Sequence, residues 1–172
     1  MKNVGKIFEE DFKKSFDETK YMVHRLKDTA QSYNKSKDTS FTWDNPCDFF
    51  IYSSNSKTLY AIENKSTKYK SMTFDREYVK DSTKMIKYHQ IDSLTTLSEY
   101  NGIIAGLVLN FRDEDDNTQR TYFQDIRDFR KMINDIDKKS FNEIDLILHN
   151  GKKIEGQKKR VRYRWSFDNV MP

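Results

Sequence analysis

Three residues set the chemistry open to this chain: Asp48, Glu63 and Lys65. After Asp48 comes a fourteen-residue gap and then Glu63-Asn64-Lys65, an Asp…Glu-x-Lys pattern. The residues lie on two apolar-aromatic runs, Asp48-Phe49-Phe50-Ile51-Tyr52 and Leu59-Tyr60-Ala61-Ile62, joined by the polar Ser53-Ser54-Asn55-Ser56-Lys57. Such runs around a polar turn predict a β-hairpin. Alternation along the second strand puts Leu59, Ala61, Glu63 and Lys65 on one face and Tyr60, Ile62 and Asn64 on the other. An acid and a base sharing the end of a buried strand suit a metal-dependent nuclease. Mg²⁺ is a hard cation that takes oxygen ligands and keeps several waters. Asp48, Glu63 and the main-chain carbonyl of Asn64 offer such a ligand set. Lys65 would then stand beside the attacking water or the scissile phosphate, orienting the one and offsetting charge on the other. Taken alone the triplet is unspecific, because a lysine-rich chain produces Glu-x-Lys by chance. A surface ion pair at a strand end is then the more ordinary explanation.

The elements around these residues must position them. At 172 residues the chain has the length of one domain with a real core. Its 31 Lys and Arg against 27 Asp and Glu give a net charge of +4, so the placement of charge matters more than its total. No apolar run approaches the ~20 residues of a membrane span. The absence of an N-terminal apolar signal core predicts a cytoplasmic protein. Cys47, the single cysteine, can form neither an internal disulfide nor a thiolate zinc site. It reads as a small buried hydrophobe on the strand face of Phe49 and Ile51.

Residues 3–26 read as a helix, with Val4, Phe8, Phe12 and Phe16 repeating every four residues. At about 100° per residue Glu9 falls at the stripe's boundary and Glu10 on the solvent side. Glu9 can therefore reach inward and Glu10 cannot, although the ordinary flank of an amphipathic helix explains Glu9 as well. Residues 27–45 form a long polar connection, within which Phe41 and Trp43 suggest a short edge strand ended by Pro46.

Beyond Lys65, the loop with Lys68 and Lys70 interleaves lysines with hydroxyls and an aromatic ring. That composition suits phosphate contact, or simply a solvated loop. A second helix is expected over 78–100, with the stripe Ile86, Gln90, Leu94 and Leu97. Gln90 occupies an apolar-face position, where an unpaired amide costs roughly 1–3 kcal/mol. It needs a partner: backbone, a metal-bound water or a phosphate. His89 has no second histidine at ligand spacing and makes no metal site. The run 102–111 reads as a strand covered on both faces, 113–117 as an acidic turn, 120–124 as a strand and 125–137 as a helix. Ser140-Phe141-Asn142-Glu143 fits a capping box opening a helix that ends near Leu148. The tail 151–165 carries seven basic residues against the single acid Glu155. In it Lys158, Lys159, Arg160, Arg162 and Arg164 alternate with apolar or aromatic residues. One face is expected to pack on the protein and the other to present cations to phosphates.

The order of these parts resembles the RecU-type Holliday-junction resolvases, a branch of the restriction-endonuclease-like PD-(D/E)XK nucleases. The resemblance is carried by Gly5-Lys6-Ile7-Phe8-Glu9, by Asn45-Pro46-Cys47-Asp48 and by Glu63-Asn64-Lys65-Ser66-Thr67-Lys68. Phe74, His89-Gln90-Ile91 with Leu94, and Gly102-Ile103-Ile104-Ala105 through Asn110-Phe111 complete it, over about residues 3–135. It implies an α/β restriction-endonuclease-like fold, a mixed central β-sheet flanked by helices, in a single nuclease domain spanning 1–172. It further implies a homodimer that binds four-way DNA junctions and nicks two strands of like polarity with Mg²⁺, or with Mn²⁺ in its place. By position Asp48 and Glu63 would be metal ligands and Lys65 the catalytic lysine. Glu9 would be the acid of the first helix that completes the metal's outer arrangement, and Gln90 the helper on the second. Cellular members of the family carry a stalk that enters the junction centre; here 27–45 offer only a short polar version. A compact, lysine-rich variant of this kind suits a phage-encoded enzyme. Two alternatives remain at the level of sequence: a nuclease of the same fold acting on other branched or linear duplex DNA, and a non-catalytic DNA-binding accessory protein.

Overall fold

The computed structural model describes residues 4–26, 45–116 and 118–172. The polar connection, with its suggested edge strand at Phe41 and Trp43 and its short stalk, lies outside these residues except for Asn45.

Among the described residues a seven-stranded mixed sheet forms the centre of the molecule. In chain order its strands are β1 (Tyr21–Arg25), β2 (Phe49–Ser53), β3 (Thr58–Thr67), β5 (Ile103–Asp113), β6 (Thr118–Asp125), β8 (Lys152–Lys158) and β9 (Tyr163–Ser166), and they lie side by side in that order. Among the described strands of this sheet, only the β3–β5 pair is parallel. The crossover between them contains β4 (Ser71–Thr73) and helix α2 (Tyr88–Ser98). A separate two-stranded sheet joins β4 to β7 (Ser140–Asn142). Helices α1 (Val4–Lys13), α3 (Ile126–Asp135) and α4 (Glu143–Leu148) complete the fold. This is the mixed α/β sheet flanked by helices that the sequence leads one to expect.

Two apolar layers sandwich the sheet. Phe8 and Phe12 of α1 pack with Phe49, Ile51, Tyr60, Ile62 and Val108 on one face. On the other, Ile91 and Leu94 of α2 and Phe129, Met132 and Ile133 of α3 pack over Ala61, Ala105, Leu107 and Leu109. The central strand β5 is thus buried on both sides, which is why its sequence is continuously apolar rather than alternating. Gly106 within it is required by packing. A Cβ there would sit 2.5 Å from the Gln124 carbonyl oxygen and 2.6 Å from the Phe123 ring.

Several expected boundaries move. The first helix stops at Lys13, not Leu26. Asp17 folds the chain back, its carboxylate accepting from the Thr19 N–H and hydroxyl while its carbonyl accepts from Lys20 and Tyr21. The chain then runs as β1 beside β2. Phe16 keeps its apolar role from this turn, stacked on Phe167 with ring centres 4.2 Å apart. The second helix starts at Tyr88, ten residues later than expected. Ile86 instead bridges to Phe74, and Tyr78 and Val79 lie exposed because no apolar stripe runs through 78–85. The cap of α4 is Asn142 with Asp145 rather than Ser140 with Glu143, since Ser140–Asn142 is used as β7. Cys47 is buried as expected, but with Ala61 beneath α2 and on the opposite side of the sheet from Phe49 and Ile51. Its position before the first residue of β2 takes it out of that strand's alternation. Among the described residues no helix is long and apolar enough to cross a membrane.

Candidate active site

The pairing of β2 with β3 stops at Phe49 and Ile62, and β3 runs on to Thr67 beside β5 alone. Phe49 pairs with Ile62, so the antiparallel register carries Asp48 opposite Glu63. The main chain holds Asp48 in this place: its N–H donates to the Ile62 carbonyl at 3.0 Å, and its carbonyl accepts from Leu26 at 2.8 Å. The Asp48 carboxylate Oδ2 accepts from the Asn64 N–H at 2.8 Å. The acid thereby continues the hairpin ladder where the backbone no longer does.

Glu63 and Lys65 do share a face, as period-two alternation requires. The Lys65 Nζ lies 2.8 Å from Glu63 Oε1. The same oxygen accepts a short hydrogen bond from Gln90 Nε2 on α2. The amide of Gln90 has a fixed orientation, because its Oε1 accepts from the Lys87 N–H at 3.0 Å. Gln90 is therefore both the third-position cap of α2 and the donor that reaches Glu63. The amide anticipated from the helical stripe is only partly buried, and it has found its partner in the acid of β3.

Burial pushes the Glu63 carboxyl up to about 7 despite the Lys65 ammonium beside it, and the negative charges of Asp48 and Glu9 add to the rise. Asp48 and Glu9 are thus near enough to Glu63 for their charges to act on it. Glu9 projects inward as the helical wheel requires, with a side chain 20% exposed against 58% for Glu10. It forms an ion pair with Arg25 at the end of β1. Arg25 was not singled out from sequence, where it stands as one of several basic residues (Lys20, His24, Lys27) around Tyr21–Val23. Burial pushes the Cys47 thiol up to about 12, with Glu63 and Asp48 adding to the shift, which excludes it as a nucleophile at neutral pH.

A divalent cation can be tested against this donor set. Among the described residues no three His, Cys, Asp or Glu side chains form a ligand cluster. Two carboxylates, a main-chain carbonyl and water are the remaining donors. All are hard oxygens, a set that suits Mg²⁺ or Mn²⁺ and not a thiolate or imidazole metal.

The expected DNA contacts divide. Lys68 and Lys70 are exposed on the loop after β3. Lys158, Lys159 and Arg160 are exposed at the tip of the β8–β9 hairpin. Arg162 and Arg164 are not arrayed on a solvent face. They turn toward α1, where Arg162 lies 3.4 Å and Arg164 3.5 Å from Asp11. Asp11 is buried and also accepts the Tyr163 N–H at 3.0 Å. Sequence reading missed Asp11 because it stands next to Phe12 as an ordinary helix acid. The tail's excess of arginine was the one hint that an acid must meet it.

No family model matches the chain. A curated relative, the SPbeta prophage-derived uncharacterized protein YotM of Bacillus subtilis (strain 168), is 29% identical over 179 aligned residues, covering 98% of this chain and 85% of its own. Among solved structures, Hjc of Archaeoglobus fulgidus, a Holliday junction resolvase, aligns with a TM-score of 0.44 and 17% identity, over 79% of this chain and 84% of its own.

Proposed function

We propose that this chain is a Mg²⁺-dependent structure-specific endodeoxyribonuclease that resolves four-way DNA junctions by paired nicks. The observation that carries the reading is the convergence on one buried carboxylate, Glu63, of Lys65 from the same strand and Gln90 from α2. Asp48 is held opposite by the Asn64 N–H. An ion pair at a strand end, the plainer explanation of Glu-x-Lys, does not call for a second acid fixed by the backbone. Nor does it call for an amide committed by a helix cap.

Asp48, Glu63 and the Asn64 carbonyl would hold the cation, with Mn²⁺ as a substitute. When bound, such an ion polarises the phosphoryl group and makes a coordinated water more acidic. The rest is the work of the chain's own groups. Glu63, raised to about 7, must give up its proton before it serves as a ligand. Gln90 holds Oε1 of Glu63 in place. Lys65 offsets charge on the phosphate undergoing attack and orients the incoming water. Glu9, paired with Arg25, adds negative charge at the rim of the site. Hydrolysis forms a bond from water oxygen to phosphorus and breaks the bond to the 3′ oxygen, leaving 5′-phosphate and 3′-hydroxyl ends.

A junction presents symmetry-related phosphodiesters, and two copies of one site related by a two-fold axis address them together. The proposed active form is therefore a homodimer. Lys68, Lys70, Lys158, Lys159 and Arg160 supply phosphate contacts; Arg162 and Arg164 act through the hairpin they anchor. Cleavage of a synthetic four-way junction compared with linear duplex of matched sequence tests the substrate. Preferential, symmetric nicking of the junction is expected. Equal cleavage of both would move the reading to a nuclease of broader duplex specificity.

A further inference from the structure

Asparagine stands directly before glycine twice in the chain, at Asn101-Gly102 and at Asn150-Gly151. Such a pair has a chemistry of its own. The main-chain nitrogen of a glycine, unobstructed by a Cβ, can attack the side-chain amide carbon of the asparagine before it. The attack needs an N–H that is not already donated and a main chain free to turn. In sequence the two pairs are equivalent, and the fold makes them different.

Asn150-Gly151 ends α4. Asn150 takes the left-handed conformation, with φ 66°, and the Gly151 N–H donates to the Leu146 carbonyl at 2.7 Å. That bond closes the C-terminus of the helix. The Asn150 side-chain amide donates to Asp128 Oδ1 at 3.2 Å. The glycine is also enclosed, since a Cβ on it would stand 2.7 Å from the Leu146 carbonyl oxygen and 2.8 Å from Gln124 Oε1.

Asn101-Gly102 joins α2 to β5 without these restraints. Both residues are exposed. Gly102 has φ 85°, and nothing lies within 4 Å of where its Cβ would be. Among the described residues no acceptor meets the Gly102 N–H, and no partner meets the Asn101 side chain. The turn closes around the pair, through the Ile103 N–H donating to the Tyr100 carbonyl at 3.1 Å.

We propose that Asn101 is a site of spontaneous conversion to aspartate and isoaspartate, and that the helix end at Leu146 protects Asn150 from the same reaction. Rotation about the Asn101 Cα–C bond brings the Gly102 nitrogen onto Cγ. Hydroxide takes the N–H proton, the N–Cγ bond forms, and the Cγ–Nδ2 bond breaks as ammonia leaves with a proton from water. Water then opens the cyclic imide. Addition at Cγ gives aspartate, and addition at the main-chain carbonyl carbon gives isoaspartate, whose main chain runs through Cβ and Cγ. One water is consumed, one ammonia is released, and nothing is oxidised. Both products disturb the turn. Helix α2 has no basic residue in its last turn, so a new carboxylate just beyond it meets the negative end of the helix dipole. Isoaspartate also lengthens the main chain directly before Gly102, whose carbonyl accepts from the Leu59 N–H at 2.9 Å where β3 meets β5.

The full, metal-free chain is incubated in mildly alkaline buffer, with a parallel sample in concentrated urea, and both asparagines are followed by peptide mass and fragmentation. In the folded chain Asn101 is expected to convert about tenfold faster than Asn150, the factor set by one main-chain hydrogen bond that must break before attack. In urea the two rates should converge. Asn101→Ser should show no conversion at that position and, after the same incubation, should melt above the aged parent. Three results would each overturn the proposal: equal rates in the folded chain, a folded Asn101 that stays intact while the unfolded one converts, or a preference for Asn101 that persists undiminished in urea.

Discussion

The ammonium of Lys65 and the carboxylate of Glu63 stand 2.8 Å apart on one face of β3, two residues apart in sequence. The pair is almost dry, with side chains 19% and 6% exposed. An ion pair taken that far from water gains little net stability, since desolvation of both groups opposes their attraction. The proposed nuclease chemistry gives the pair a role that folding stability alone does not.

Lys65→Ala is expected to lower nicking by about a hundredfold or more while leaving junction affinity within a few-fold of the parent. Single-turnover cleavage and EDTA binding on the same junction measure the two separately. A parallel loss of both would make Lys65 a contact for DNA rather than a group acting at the scissile phosphate.

The raised Glu63 carboxyl sets two opposite pH dependences. Ionisation is required for metal binding, so Mg²⁺-dependent cleavage should rise with pH through about 7. Stability of the metal-free protein should run the other way. The folded state holds the Glu63 proton more tightly than the unfolded state, so this contribution is fully present below the unfolded carboxylate range and is lost as pH rises through about 7. Glu63→Gln removes that loss. Its metal-free melting temperature should exceed the parent's by roughly 5 °C at pH 8 and by much less at pH 4, a scale set by the usual few degrees per kcal/mol for a domain of this size. Added Mg²⁺ should narrow the difference at pH 8 by stabilising the parent alone.

Gln90→Ala removes both the α2 cap and the hydrogen bond to Glu63. A stability loss of about 1 kcal/mol is expected from the cap, with a tenfold or greater fall in nicking. Gln90→Glu separates the two roles. It preserves an acceptor for the Lys87 N–H but brings a second negative charge to Glu63, so it should retain helix stability and lose activity.

Asp11→Ala leaves Arg162, Arg164 and the Tyr163 N–H without their shared acceptor. Unfolding by urea should show a loss of roughly 2–3 kcal/mol, and limited proteolysis should cut first within 158–162. Arg162→Ala should follow Asp11→Ala in proteolysis. By contrast, Lys159→Gln should leave stability unchanged.

Much of this was legible from residue types and spacing. The hairpin of β2 and β3, the sharing of a face by Glu63 and Lys65, the inward placement of Glu9 over Glu10 and the two-sided burial of β5 all follow from local periodicity. Gln90 was marked by its intrusion into an apolar stripe. What escaped depended on contacts between segments distant in sequence. The end of α1 at Lys13 is decided by the turn at Asp17 and by pairing with β2 more than thirty residues later in the sequence. Ile86 left its predicted helix because a bridge to Phe74 claimed it. Arg162 and Arg164 read as a cationic face until Asp11, some 150 residues away, drew them to α1.

The central claim is tested most directly on a synthetic four-way junction, with each strand end-labelled in turn, Mg²⁺ added, and Asp48→Ala and Glu63→Ala run beside the parent. The account predicts nicks of the parent in two strands of like polarity at symmetry-related positions, none in either variant, and undiminished junction binding by both variants in EDTA. Cleavage retained by either variant, or no cleavage by the parent with Mg²⁺ or Mn²⁺ despite tight binding, would contradict it.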